Sequence, residues 1–231
     1  QADRVWGILS VRNPVLSRPV ARVGRSLVME YVAGVPVSER LRGAGPLERL
    51  RMARRLGALL ARLHLGPAPR LKAPAFISTR WVLTRVLRWL LRHRLLDAES
   101  AGVLGAIDLP PMSAAVVTIG DPSPDNVVWT PSRRLRIVDE DRLDLRPAAF
   151  DLARAVTRWP LDRRGEDAFL AAYRRAGGDA DDYERHRAYW VANALATSGI
   201  FRLVYRPRDM APIARQLRAL ARGVRRDGYL G

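Results

Sequence analysis

Apolar residues recur at three- and four-residue spacing through residues 47–64, where Leu50, Ala53, Leu56, Leu60 and Leu63 would share one face of a helix begun by Pro46. The same periodicity predicts helices over 2–11, 79–94, 151–158, 164–176, 181–205 and 211–225. Gly177-Gly178 closes the 164–176 helix, since glycine accepts the left-handed conformation of a helix terminus. Short apolar runs predict strands over 20–24, 127–129 and 135–138, the last two joined by the turn Thr130-Pro131-Ser132-Arg133. The plan is a short mixed segment, helices, a β-ribbon, then helices again.

The ribbon carries the candidate chemistry. Ile119-Gly120-Asp121-Pro122-Ser123-Pro124-Asp125-Asn126 leads into its first strand, and Ile137-Val138-Asp139 ends its second. A ribbon brings its two ends together, so Asp121, Asn126 and Asp139 can meet at one site. Asp121 could take a proton from an acceptor hydroxyl. The amide oxygen of Asn126 and the carboxylate of Asp139 are the hard ligands a magnesium ion needs. Of the run Asp139-Glu140-Asp141-Arg142, Asp139 ends the apolar strand and is the metal candidate, Asp141 shares its face, and Glu140 points away. Asp151, ahead of Leu152 and Ala153, is expected to accept backbone amides of the loop as a structural brace.

These phrases resemble the aminoglycoside phosphotransferase and choline kinase superfamily, and also the bacterial lipopolysaccharide-core sugar kinases. The loop of these families reads roughly His-Gly-Asp, three or four variable residues, Asn. Ser26-Leu27-Val28-Met29-Glu30-Tyr31-Val32-Ala33-Gly34 is similar to their fifth strand and interlobe hinge, and Phe150-Asp151-Leu152-Ala153 to their buried bracing aspartate. Phe169-Leu170-Ala171-Ala172-Tyr173-Arg174-Arg175-Ala176-Gly177 is a phrase they use late in the C-terminal lobe. The resemblance implies an α+β, protein-kinase-like fold. A remnant of the N-terminal lobe and hinge would occupy 1–33, and a predominantly helical C-terminal catalytic lobe 34–231. It further implies ATP and Mg2+ as cofactors, with backbone groups of Glu30, Tyr31 and Val32 pairing with adenine.

Two positions depart from the family pattern. Ile119 stands where the loop histidine is expected, so a side-chain hydrogen bond from loop to metal-binding segment is lost. Kinases also hold the nucleotide phosphates with a glycine-rich loop and a lysine on the third strand. Neither precedes the hinge here, and the only lysine is Lys72. A complete small lobe needs three further strands of roughly five or six residues each, for which residues 1–32 leave no room. A fragment whose lobe lies upstream of Gln1 is expected, with a degenerate fold as the competing explanation.

Composition narrows the chemistry. Of 231 residues 48% are hydrophobic, enough for a sizeable core. There are no cysteines, and His64, His93 and His186 offer no zinc spacing, so any metal must be held by oxygen. His64 ends the central helix and is expected as a capping or packing residue. No apolar run approaches the roughly 20 residues of a membrane span, and a cytoplasmic protein is expected.

The formal charge of +17 attracts anions, or is spread over solvated helix surfaces by arginine stems. It is marked in the last stretch, with Arg202, Arg206, Arg208, Arg215, Arg218, Arg222, Arg225 and Arg226, and in the 79–94 helix. There Arg80, Arg85, Arg88, Arg92 and Arg94 alternate with Trp81, Val82, Val86, Leu87, Trp89, Leu90 and Leu91. That pattern suits peripheral contact with an anionic membrane at its inner face, and equally an ordinary helix buried on one side. No nucleic-acid-binding signature accompanies the charge. The implied activity is ATP-dependent phosphoryl transfer to a hydroxyl of a small molecule or lipid-linked sugar. A pseudokinase scaffold binding an anionic partner is the alternative. Protein substrates are disfavoured, because nothing between Asp139 and Asp151 resembles a long activation loop.

Overall fold

A computed structural model of the chain describes residues 2–11, 13–24, 26–69, 79–108, 110 and 113–227. Lys72 and most of the proline-rich connection around it lie outside the described residues, as does the side chain of Arg80. In chain order the elements are α1 (Ala2–Leu9), β1 (Pro19–Val23), β2 (Ser26–Met29), β3 (Val35–Pro36), α2 (Val37–Arg42), α3 (Pro46–His64), α4 (Thr79–Arg92), α5 (Ala98–Gly105), β4 (Ala115–Thr118), β5 (Val127–Trp129), β6 (Leu135–Ile137), β7 (Asp144–Pro147), α6 (Ala148–Arg158), α7 (Arg163–Arg175), α8 (Asp181–Arg185), α9 (Arg187–Tyr205) and α10 (Ala211–Asp227). The architecture is α+β and mainly helical, of protein-kinase-like fold.

The chain divides into two compact units, residues 1–74 with 113–183, and residues 75–112 with 184–231. In the first, α3 packs along α7, burying Met52, Leu56, Leu59, Leu60 and Leu63 with Phe169, Leu170 and Tyr173. Gly57 sits at the crossing, where a side chain would collide with the backbone of Phe169 and Tyr173. That closeness sets how α3 and α7 cross. The ribbon itself, β5 against β6 in antiparallel register Val127↔Ile137 to Trp129↔Leu135, gains a third strand when β3 pairs with β5. A second antiparallel pair, β4 with β7, runs from Ala115↔Pro147 to Thr118↔Asp144. Neither β3, β4 nor β7 stands out in the sequence, being two to four residues long.

Residues 1–33 belong to this first unit. The Ile137 N–H donates to the Val15 carbonyl at 3.0 Å, and the Arg136 guanidinium to the Leu16 carbonyl and the Glu30 carboxylate. The second unit packs α4 against α9 and α5 against α10. Leu83, Val86, Leu87 and Leu90 form the buried face of α4, while Trp81, Arg85, Arg88 and Arg92 are exposed. The helix expected over 181–205 breaks at His186, which leaves the helical region (φ −116°, ψ 31°) and caps α9. No described helix is long and apolar enough to cross a membrane.

Candidate active site

The β4–β7 ladder stops at Thr118↔Asp144, and the next residues of β4's chain, Ile119-Gly120-Asp121, form the loop. Ile119 is fully buried, and its backbone N–H donates to Asp151 Oδ2 at 2.8 Å; the Gly120 N–H donates to Oδ1 at 2.9 Å. Gly120 adopts φ 76°, and a Cβ there would stand 3.0 Å from the Arg142 carbonyl oxygen. Left-handed conformation and close approach both call for glycine. Asp151 lies in the first turn of α6, where the helix dipole also favours its charge. Its Oδ2 further meets His64 Nε2 at 3.4 Å, while His64 Nδ1 and the Tyr173 hydroxyl are 2.7 Å apart. A proton on His64 Nε2, with Nδ1 accepting, satisfies both contacts. Burial, reinforced by Asp151 and Asp179, pushes the Tyr173 phenol up, so it stays protonated and donates.

The far end of the loop meets the end of the ribbon. Asn126 Nδ2 donates to the Asp121 carbonyl at 3.1 Å, and the Val138 N–H donates to the Asn126 carbonyl at 2.9 Å. Asp121, Asn126 and the Val138-Asp139 step are therefore tied in one chain of hydrogen bonds. Asp139 adopts the left-handed conformation (φ 64°, ψ 57°), unusual for a residue other than glycine. Its carboxylate is exposed and makes no hydrogen bond or ion pair among the described residues, and the Asn126 Oδ1 accepts none. Asp141, two residues on, has its carboxyl held up by burial, then by repulsion from Asp139 and Asp121. Repelling carboxylates beside a free amide oxygen are a donor set a hard divalent cation fits. Among the described residues no cluster of three or more His, Asp or Glu could hold a metal by itself. Glu140 is buried, accepts the Ser17 N–H at 2.7 Å, and is pushed up by desolvation.

A cavity of about 820 Å³ runs from Glu30, Tyr31 and Val32 to Asp139, Glu140 and Asp141, with Val5 and Leu9 of α1 among its walls. Among the described residues, Asp121 and Asn126 are not part of its lining, and no lysine or arginine is. The Glu30 N–H is committed to the Arg18 carbonyl at 2.8 Å, whereas the Glu30 carbonyl and both backbone groups of Val32 have no backbone partner among the described residues. Those groups, like the backbone groups of Tyr31, are open to a planar base.

Asp121 itself is ringed by arginine. Arg154 Nη2 and Arg158 Nε stand 3.2 and 3.3 Å from Oδ1, and Arg158 Nη2 and Arg142 Nη1 stand 3.3 and 3.7 Å from Oδ2. Arg154 is nearly fully buried, and desolvation lowers its pKa to about 10 against the pull of Asp121. Sequence reasoning did not single out these arginines. Asp151, Arg154 and Arg158 nevertheless lie at three- and four-residue spacing, which puts them on one helix face.

A braced loop, a ribbon that ends at Asp139 and a cavity lined by residues 30–32 and 139–141 make up a protein-kinase-like architecture. Residues 6–189 match the model of the phosphotransferase enzyme family, and the chain belongs to that family. Its fold is similar to a choline/ethanolamine kinase family protein from Mesorhizobium loti (TM-score 0.60, 16% identity, covering 96% of this chain and 77% of that one). A macrolide 2'-phosphotransferase from Brachybacterium faecium gives TM-score 0.63 at 17% identity, over 95% and 79% of the two chains. An ethanolamine kinase from Plasmodium vivax gives 0.62 at 14%, over 95% and 70%. The comparison with curated proteins finds no match.

Proposed function

We propose that the protein transfers the terminal phosphoryl group of ATP to a hydroxyl of a small molecule or lipid-linked sugar. The observation that carries this is the hydrogen-bonded chain from Asp121 through Asn126 to Val138, which sets a candidate base and two candidate metal ligands beside a hinge-lined cavity. In this reading residues 1–33 serve as the remnant of the nucleotide lobe and hinge, and the Glu30 carbonyl with the Val32 backbone receives adenine. Asp121 orients the acceptor hydroxyl and takes its proton. Asn126 and Asp139 would hold Mg2+, which when bound neutralises charge on the transferring phosphates. Asp151 acts from beneath by fixing two loop amides. The similarity to kinases of amino alcohols and to a macrolide phosphotransferase supports a small acceptor.

A catalytically silent protein of the same fold, binding an anionic partner, is the alternative. The arginine ring over Asp121 favours it. Calorimetric titration of ATP with and without magnesium separates the two. Magnesium should tighten nucleotide binding in the parent, and Asp139→Ala should remove that gain; equal affinities for parent and variant with magnesium present would overturn the metal assignment.

A further inference from the structure

We infer that the acceptor is an anion, a hydroxyl compound that also carries a carboxylate or phosphate, and that this anion uncovers Asp121 by taking over Arg158. The inference rests on the phosphotransferase reading of the site.

An ionised carboxylate offers about four lone-pair positions, and here the four guanidinium approaches to Asp121 fall two on each oxygen. Oδ1 is buried and, despite its two guanidinium neighbours, receives no hydrogen bond of proper geometry among the described residues. A hydroxyl cannot reach that oxygen while the guanidiniums stay. They differ in how tightly each is held. Arg154 is nearly fully buried and lies between Asp121 and Asp151. Arg142 also faces Asp141, with Nε 3.8 Å from Oδ1 of that residue, and its backbone packs on Gly120. Arg158 is the last residue of α6, and Asp121 is its only carboxylate partner among the described residues. It is the guanidinium that no second carboxylate holds in place.

A carboxylate or phosphate matches the guanidinium fork with two charge-assisted hydrogen bonds. An acceptor bearing such a group can hold Arg158 as firmly as Asp121 does, which leaves Arg154 alone on Oδ1 and Arg142 alone on Oδ2 and opens a position on the carboxylate to the acceptor's own hydroxyl. An ammonium-bearing acceptor meets three guanidiniums and has no means of displacing one. A neutral polyol is admitted but does not uncover the base. The base is thus exposed only when the correct acceptor is present, which also guards ATP against water.

Four probes test this: glycerol 3-phosphate and glycerate as the two anion chemistries, glycerol as the neutral compound, and choline as the cation. Each is titrated by calorimetry in saturating MgADP, so that nucleotide phosphates do not vary, and then assayed with MgATP for ADP release. Arg158→Gln and Arg158→Lys are run beside the parent, with thermal melts to verify folding. The expected result is binding of at least one anion at least tenfold tighter than glycerol or choline. Arg158→Gln should weaken that binding about tenfold and raise ADP release in the absence of acceptor, and Arg158→Lys should fall between. Preference for choline or glycerol, or anion binding indifferent to Arg158→Gln, overturns the inference. Arg158-dependent anion binding without ADP release from any probe leaves the anion site standing and sinks the phosphotransferase reading instead.

Discussion

Asp151 receives the backbone N–H groups of Ile119 and Gly120 on its two carboxylate oxygens, at 2.8 and 2.9 Å, from a fully buried position in α6. The loop is thereby held by main-chain groups, and a side chain at position 119 is not needed for that contact. Ile119 instead fills the core. Asp151→Asn turns one acceptor oxygen into a donor facing an N–H, so a buried amide loses its partner. The loss should be about 1–3 kcal/mol, read by urea unfolding; a variant as stable as the parent would show that the two contacts contribute nothing net.

Asp121→Asn tests the base. Proton-transfer assistance is worth about 10² to 10⁴ in rate, so turnover should fall by that factor while MgATP affinity is retained. The neutral amide also removes the carboxylate that Arg142, Arg154 and Arg158 share, and the buried Arg154 loses the largest opposing charge on it. A fall in melting temperature should accompany the kinetic loss, and full activity in this variant would refute the role.

Glu140 makes a pH prediction. Burial raises its pKa from an ordinary 4.5 despite the Ser17 N–H. A carboxyl whose pKa rises on folding binds its proton more tightly folded than unfolded. Its contribution is therefore most favourable below 4.5 and declines as pH rises from there to the folded value. Glu140→Gln keeps an oxygen for the Ser17 N–H and removes the buried charge. At neutral pH the variant should be at least as stable as the parent, and its stability should fall less steeply above pH 4.5. Asp141, shifted in the same direction, keeps the slope from vanishing. An unchanged slope would contradict the assignment.

The exposed stripe of α4 distinguishes a lipid surface from open solvent. Trp81 is 53% exposed with Arg85 stacked 5.2 Å from its ring centroid, and Arg88 and Arg92 continue the same face at three- and four-residue spacing. Near an anionic surface each arginine contributes up to about 1 kcal/mol of salt-sensitive attraction. Glutamine at positions 85, 88 and 92 should abolish co-sedimentation with anionic vesicles at low salt. A parent protein that ignores such vesicles would remove the membrane from consideration.

Local chemistry written within a few residues was legible in the chain. Leucine spacing marked α3, the Pro-Ser turn marked the β5–β6 ribbon, and short runs ending in Asp or Asn marked the loop and the strand end, because amphipathic period and turn preference are near-neighbour properties. Strands β3, β4 and β7 are too short to show a period, and pairing creates them: β4 exists because residues 115–118 find residues 144–147 across the chain. The same holds for the charges. Asp121, Arg142, Arg154 and Arg158 come from three separate segments, and only the packing of α6 beneath the loop and the turn of Gly120 against Arg142 bring the three guanidiniums within 4 Å of the carboxylate. Sequence determined which groups could do chemistry here; tertiary structure decided that the candidate base is covered, since coverage depends on distances that close only when segments remote in the chain are folded together.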